Sequence, residues 1–413
     1  MDDATLLSRP ASEPSTAAGD AVAPRPVLPA EAEVDLGALR ANVGTLKERV
    51  GAAELMVVVK ADAYGHGLLP CARAARAGGA TWLGVAQLAE ALALRAAGDQ
   101  GRLLSWLHVP GADFVAAVAA DVDLSASATW AVDEIAAAAR AAGRPARVHL
   151  KIDTGLSRGG AGEREWADLV RHTLAVQADG AVQLVGIWSH LAWADAPQHP
   201  TVLAQADAFT AAVDAARSLG AAPQVVHLAN SAAALTNPGI HHDLVRVGLA
   251  AYGLSPVPDL GAPADFGLRP VMTLRSRLAL VKQVPQGAGV SYGHAYRTSR
   301  PTTLGLVPLG YADGLPRSAT NVGPLQVAGR RHVIAGRVCM DQVVVDLGDR
   351  PDVADLRAGD PVVLFGPGLD GEPTAQDWAD AVDTISYEIV TRIGARVPRT
   401  FVDAPGRTGG RTS

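Results

Sequence analysis

Eight short, mostly apolar runs recur through the first two thirds of the chain, at 56–61, 82–86, 102–109, 121–127, 147–152, 183–190, 225–230 and 244–249. Runs of that length that do not alternate with polar residues read as strands buried on both faces. Between them lie amphipathic, alanine-rich stretches such as 88–97, 131–142 and 202–219. Strands separated by helices lie parallel, and eight of them predict a closed (β/α)8 barrel of the TIM type. A doubly wound open sheet is the competing arrangement, and the count favours closure. In a barrel the chemistry sits at the carboxyl ends of the strands. Lys60, Arg158, His190, Asn230, Ser231 and Arg246 fall at or just beyond those ends.

The flanks differ in texture. Residues 1–27 are rich in Ala, Pro, Ser and Asp without periodicity, and predict a disordered tail. Glu33–Leu36 reads as a short strand leading into a helix over 37–50, with Leu39, Val43 and Leu46 on one face. The barrel, with this leading strand, is assigned to 28–266. Beyond it, segments 270–284, 303–309, 324–329, 331–338, 342–347 and 361–365 are short strands broken by Gly/Pro turns, and Thr374 can cap a helix over 374–381. They predict a mostly antiparallel β domain over 267–403, followed by a disordered tail at 404–413.

Composition narrows the function. A net charge of −6 gives no reason to expect nucleic acid as a partner. No apolar run is long enough to span a bilayer, and no basic segment followed by an apolar core marks a secretory leader. The two cysteines, Cys71 and Cys339, have neither metal nor redox spacing. A reducing, cytoplasmic setting is the expectation.

One strand end stands apart. The run Met56–Val59 stops at Lys60, then Tyr64, Gly65 and Gly67 form a loop into a helix from Leu68. A lone lysine there more often marks exit into water. If it is buried, it is costly unless paired, covalently used or solvated in a site. Burial also lowers its pKa, making the neutral nucleophilic amine available. Lys60 is therefore a candidate Schiff-base lysine.

Several separated motifs bear on that reading: VVKADAYGHG (58–67), KIDTGLSRGG (151–160), HLANSAA (227–233), VRVGLAAYGLSP (245–256), VSYGHAY (290–296), GYADG (310–314), GRVCMDQ (336–342) and TISYEIVTRIGARVPR (384–399). In this order, over about residues 31–403, the chain resembles the alanine racemases, a family of pyridoxal 5'-phosphate (PLP) enzymes built from a barrel and a β domain.

The resemblance implies that Lys60 carries the cofactor and moves a proton on one face of the substrate carbanion, while Tyr292 does so on the other. It places Tyr292 on the partner subunit, hence a head-to-tail homodimer with shared active sites. It sets Tyr64, Asn230, Ser231, Gly248 and Tyr387 around the cofactor phosphate, His190 against the ring, and Arg246 opposite the ring nitrogen. Arg158 is implied at the cofactor's phenolic oxygen and the substrate carboxylate. The Met340 backbone N–H, on the same loop as Cys339, is a candidate donor to that carboxylate. Lys151 matches a lysine that some members carbamylate; modified and unmodified states are both open. No metal is implied, and His241, His242 and His294 are taken as surface or loop residues.

Arginine keeps its proton in proteins, so a ring nitrogen facing Arg246 accepts a hydrogen bond and makes a weaker electron sink. That favours racemisation over transamination. A tyrosine base needs cationic neighbours, for which His190 and Arg246 are candidates. Tyr296 and Tyr311 are placed at the substrate entrance by analogy. Leu191 and Trp193 stand where Phe and Tyr are common, a change of packing beside His190 that removes no reacting group.

The expected function is interconversion of L- and D-alanine, supplying D-alanine for peptidoglycan. Three alternatives stand beside it. One is a PLP decarboxylase of the same fold acting on a basic amino acid, which Cys339 allows but Tyr292 and the TISYEIVTRIG motif argue against. Another is a racemase of broader small-amino-acid specificity. The last is a non-catalytic PLP-binding barrel, which leaves the β domain unexplained.

Overall fold

The computed structural model describes residues 27–403, and the predicted tails fall outside it save for Val27. The first strand, β1 (Ala30–Asp35), runs straight into the helix Leu36–Val50, which Asp35 caps by accepting from the Ala38 N–H at 2.9 Å. Eight parallel strands follow: β2 (Glu54–Val58), β3 (Trp82–Val85), β4 (Arg102–Ser105), β5 (Asp123–Ala126), β6 (Ala146–Lys151), β7 (Val182–Trp188), β8 (Val225–His227) and β9 (Leu244–Val247). Each overlaps a predicted run. Most end earlier than predicted, because Val59–Lys60, Ser189–His190 and Leu228–Asn230 leave the ladder and build the barrel mouth.

The strands are hydrogen-bonded in the order β8-β7-β6-β5-β4-β3-β2-β9. The ring closes between β8 and β9 through separate bonds rather than a ladder. Asp243 N–H donates to the Val226 carbonyl at 3.1 Å, and Arg246 N–H to that of Ala229 at 3.0 Å. The Asp243 carboxylate accepts the Val226 N–H at 2.8 Å. Inside the barrel, Met56, Trp82, Leu104, Val185, Val225 and Leu244 pack as one buried cluster, the filled interior expected of such a fold. Alanine-rich faces let the outer helices lie close: Thr129–Ala142 buries Ala131, Val132, Ile135, Ala136, Ala138 and Ala139.

The C-terminal strands are β10 (Met272–Arg277), β11 (Leu280–Val284), β12 (Gly289–Val290), β13 (Tyr296–Arg297), β14 (Thr302–Val307), β15 (Pro324–Val327), β16 (Arg330–Val333), β17 (Val343–Gly348), β18 (Pro361–Phe365) and β19 (Arg399–Val402). They form three sheets, β16-β15-β18-β10-β1-β19, β11-β14-β17 and β12-β13. All pairings among them are antiparallel except β1 with β19. Thr374 caps the helix Ala375–Ala381 as expected.

The sequence groups the leading strand with the barrel; the structure bonds it to the β domain instead. β1 lies between β10 and β19, with Val34 opposite Met272 and Phe401. Val34 and Ala32 are buried in that sheet. A strand whose partners arrive about 240 and about 370 residues later carries no local sign of where it pairs.

Candidate active site

Lys60 emerges from β2 into a turn that the sequence shows only as a loop. Ala61, Asp62, Ala63 and Tyr64 all have left-handed backbones, with φ between 53° and 55°. For residues with a Cβ this costs about 1–2 kcal/mol each, so the surroundings must hold it. The Ala61 N–H donates to Glu90 at 2.6 Å, and the Tyr252 hydroxyl grips the Val58 carbonyl at 3.0 Å. His66 Nδ1 reaches the carbonyls of Ala63 and Tyr64 at 3.0 and 2.9 Å, and so carries the proton. Gly65 admits no side chain, since a Cβ would lie 2.5 Å from the Val390 carbonyl oxygen. The Lys60 pKa is lowered by burial first, then by Arg158 and Arg246, against an upward pull from Glu90.

Arg246, near the end of β9, is 4% exposed and has no carboxylate partner among the described residues. One terminal nitrogen donates to His227 Nδ1 and to the His227 carbonyl, both at 3.1 Å. The other donates to the carbonyls of Ser189 (2.8 Å) and Leu228 (3.2 Å) and to His190 Nδ1 (3.2 Å). Those bonds span the β8–β9 seam and leave Nε–H unengaged among the described residues, though not sealed from solvent. Burial lowers the pKa of Arg246, yet a guanidinium stays charged at neutral pH. His190 is held well below the usual imidazole range by burial and by Arg246. It is therefore neutral, which removes it as a cationic neighbour for a tyrosine base; Arg246 remains.

Lys151 ends β6 beside Trp188, its ammonium 4.5 Å from the ring centroid. Burial, then Arg246 and Arg158, lower its pKa to about 8. Arg158 is exposed, on a loop shaped by Asp153 Oδ1, which accepts from the N–H groups of Gly155, Leu156 and Ser157. Lys60, Lys151, Arg158 and Arg246 thus make the mouth electropositive, suited to anions.

A second cluster adjoins it. The Tyr64 hydroxyl lies against Gly248, where a Cβ would come within 2.1 Å of it. Ser231 Oγ accepts from the N–H groups of Gly248 at 2.8 Å and Ala250 at 3.4 Å, which leaves its own hydrogen free to donate. Tyr387 stands 6.2 Å from Tyr64, ring to ring. Burial raises both phenol pKa values, that of Tyr387 to about 12, so both remain donors. Among the described residues neither hydroxyl has a partner. Asn230 contributes differently: its side chain caps the helix Ser231–Thr236 through the Ala233 N–H at 3.1 Å.

Two expected residues are not brought here. Tyr292 and Met340 are 69% and 53% exposed on the β domain, and Tyr292 lines a cleft with Ser291, His294, Arg297 and Cys339 that contains no barrel residue. Tyr296 is tied to Asp346 at 2.7 Å, and Tyr311 is exposed. Trp193 is partly exposed and stacks on His199, while Leu191 is buried. His241, expected as a surface or loop residue, lies outside helix and strand but is buried against the Ala233 carbonyl. The sequence also gives no role to Glu90, Tyr252 or His227; their partners lie 29, 194 and 19 residues away.

The models of two domain families match the chain, alanine racemase N-terminal domain over 34–256 and alanine racemase C-terminal domain over 271–401. A curated alanine racemase from Frankia casuarinae is 60% identical over 90% of this chain and 96% of its own length. One from Streptomyces coelicolor is 58% identical over 91% of this chain and 97% of its own. The crystal structure of alanine racemase from Streptomyces lavendulae superposes with a TM-score of 0.90 at 55% identity, covering 92% of this chain and 99% of that one. The chain belongs to the alanine racemase family.

Proposed function

We propose that the chain interconverts L- and D-alanine with PLP as cofactor, that two copies share each active site head to tail, and that the reaction supplies D-alanine for peptidoglycan in the cytoplasm. Identity above 55% to curated alanine racemases over nine tenths of the chain supports the reaction. Unpaired Cys71 and Cys339 are in keeping with a reducing compartment.

One observation carries the cofactor reading. A half-buried amine (Lys60), an unengaged guanidinium N–H (Arg246) and the hydroxyls of Tyr64, Ser231 and Tyr387 converge on one barrel mouth. They match the aldehyde, ring nitrogen and phosphate of PLP. Bound PLP supplies a carbonyl that joins an amine and a ring that spreads charge from Cα.

This chain's residues do the rest. With its pKa lowered, Lys60 offers a neutral amine that takes or returns a proton on one face of Cα. Arg246, fixed by five contacts, presents Nε–H to a ring nitrogen that must accept it. His190 packs as a neutral imidazole, and the Arg158 fork suits a carboxylate. Lys151 holds a neutral fraction near pH 8 that can add CO2, turning a cation beside Arg158 into an anion.

The opposite face needs a second proton carrier. Tyr64 and Tyr387 belong to the anion cradle and stay protonated, so Tyr292 of a second copy fills the place, and the Met340 N–H of that copy donates to the substrate carboxylate. The test is solvent deuterium uptake at Cα of each alanine enantiomer. Tyr292→Phe should still exchange one enantiomer while losing racemisation, and Lys60→Ala should fail with that enantiomer. Equal loss with both enantiomers in Tyr292→Phe contradicts the two-face assignment.

A further inference from the structure

A polar line crosses the barrel core beneath Arg246. Its terminal nitrogen donates to His227 Nδ1 at 3.1 Å, His227 Nε2 lies 3.0 Å from His149 Nδ1, and His149 Nε2 lies 3.2 Å from Asp123 Oδ2. Asp123 in turn receives Arg102 at 2.6 Å and Arg147 at 2.5 Å. His149, His227 and Asp123 are completely buried.

Only one sense of hydrogen bonding fits this line. Arginine donates and never accepts, so His227 Nδ1 carries no hydrogen. A neutral His227 then bears it on Nε2 and donates to His149 Nδ1. His149 likewise bears it on Nε2 and donates to Asp123. Burial keeps both imidazoles neutral, with Arg246 the next cause at His227 and Asp123 opposing the effect at His149. At Asp123 burial alone pulls the pKa upward, but the His149 bond and the Arg102 and Arg147 charges bring it below the ordinary carboxylate value.

The strands make room for the line. His149 is on β6 and His227 on β8, so their contact must pass across β7. It passes at Gly186, where a Cβ would lie 2.1 Å from His149 Nδ1. Two residues on, Trp188 stacks on His227 with planes 4° apart and bonds Ser125 through its indole N–H at 2.9 Å.

We propose that Asp123, His149 and His227 are positioning residues for Arg246, a one-way hydrogen-bond chain through the barrel core for which Gly186 opens the path. The chain keeps His227 Nδ1 an acceptor, so the guanidinium cannot turn without losing a bond. It also links the buried cation to a carboxylate at the far end of the barrel. A reversed chain would set an imidazole N–H against an arginine N–H. Its catalytic consequence rests on the reading of Arg246 as the partner of the ring nitrogen.

The experiment has two arms on the full-length chain. In the first, long-range 1H–15N correlation of 15N-histidine-labelled protein without cofactor reads the tautomers, with His149→Gln and His227→Gln for assignment. Both imidazoles should be neutral with hydrogen on Nε2 at pH 7; an Nδ1–H form or a cation at either overturns the chain. The second arm compares His149→Leu with His149→Gln, whose amide can accept from His227 and donate to Asp123. His149→Leu should lower kcat roughly 10- to 100-fold with little change in KM, and raise the share of turnovers lost to transamination. His149→Gln should recover most of both. Equal damage by the two variants, or none by His149→Leu, overturns the positioning role. An unchanged transamination share in Arg246→Lys instead removes the ring-nitrogen reading and the catalytic consequence with it, while the tautomers still decide the chain.

Discussion

The barrel mouth and the Tyr292 face of the β domain are built in opposite ways. At the mouth the backbone and Arg246 are fixed by their neighbours: Arg246 holds five contacts, the Lys60 turn is held by Glu90, Tyr252 and His66, and Gly65 and Gly248 leave no room for a side chain. Tyr292 is largely exposed, and so are its neighbours His294 and Met340. A single chain thus finishes the half that would hold a cofactor and leaves the other half open. The difference is what the proposed shared site requires, because a group destined for a second copy cannot be packed within its own.

Changes at the mouth should have the larger effects. On the proposed reading Lys60→Ala removes both the covalent attachment and one proton carrier, and is expected to lower kcat by more than about 10⁴-fold. Absorbance of added PLP would show the lost linkage directly. Arg246→Lys keeps charge but not the fork, and breaks bonds to three carbonyls; a fall of roughly 10²-fold in kcat is expected. Gly65→Ala has to displace the Val390 carbonyl from a left-handed position, and should cost on the order of 2–3 kcal/mol in urea unfolding.

Acid should weaken the barrel before it affects the β domain. Burial holds His66 and His108 at about 4, whereas the unfolded chain binds those protons near pH 6.5. Between those values the unfolded state carries more protons, so stability falls as pH drops through the window. His66 alone would contribute roughly 3 kcal/mol to the loss at its lower end. Urea midpoints at pH 7 and pH 4.5 check it. The smallest effect expected is a shift in pH profile. Glu90 raises the Lys60 pKa, so Glu90→Gln should move the acid limb of kcat/KM to lower pH.

The sequence shows most of the barrel and the polar residues gathered at its mouth, for identifiable reasons. Strands buried on both faces leave continuous apolar runs, and residues just past their ends must be polar to be useful. Lys60, Arg246 and Ser231 stand out that way. Long-range pairing leaves no such trace: β1 reads as part of the barrel because its partners, β10 and β19, are hundreds of residues away. The left-handed turn at Ala61–Tyr64 is hidden for a related reason, since alanine and tyrosine have no intrinsic preference for it and Glu90 imposes it from another helix. The neutrality of His190 likewise comes from burial at the mouth and then from Arg246, a residue 56 positions on.

Subunit complementation tests the shared site most directly. Lys60→Ala and Tyr292→Phe variants, each expected to be nearly inactive, are mixed, dissociated and reassociated. If each site joins the barrel of one chain to the β domain of another, every mixed dimer regains one intact site, and random exchange returns about one quarter of full activity. If each chain supplies both groups to its own site, no intact site can form. Activity that stays at the level of the separate variants would then contradict the account.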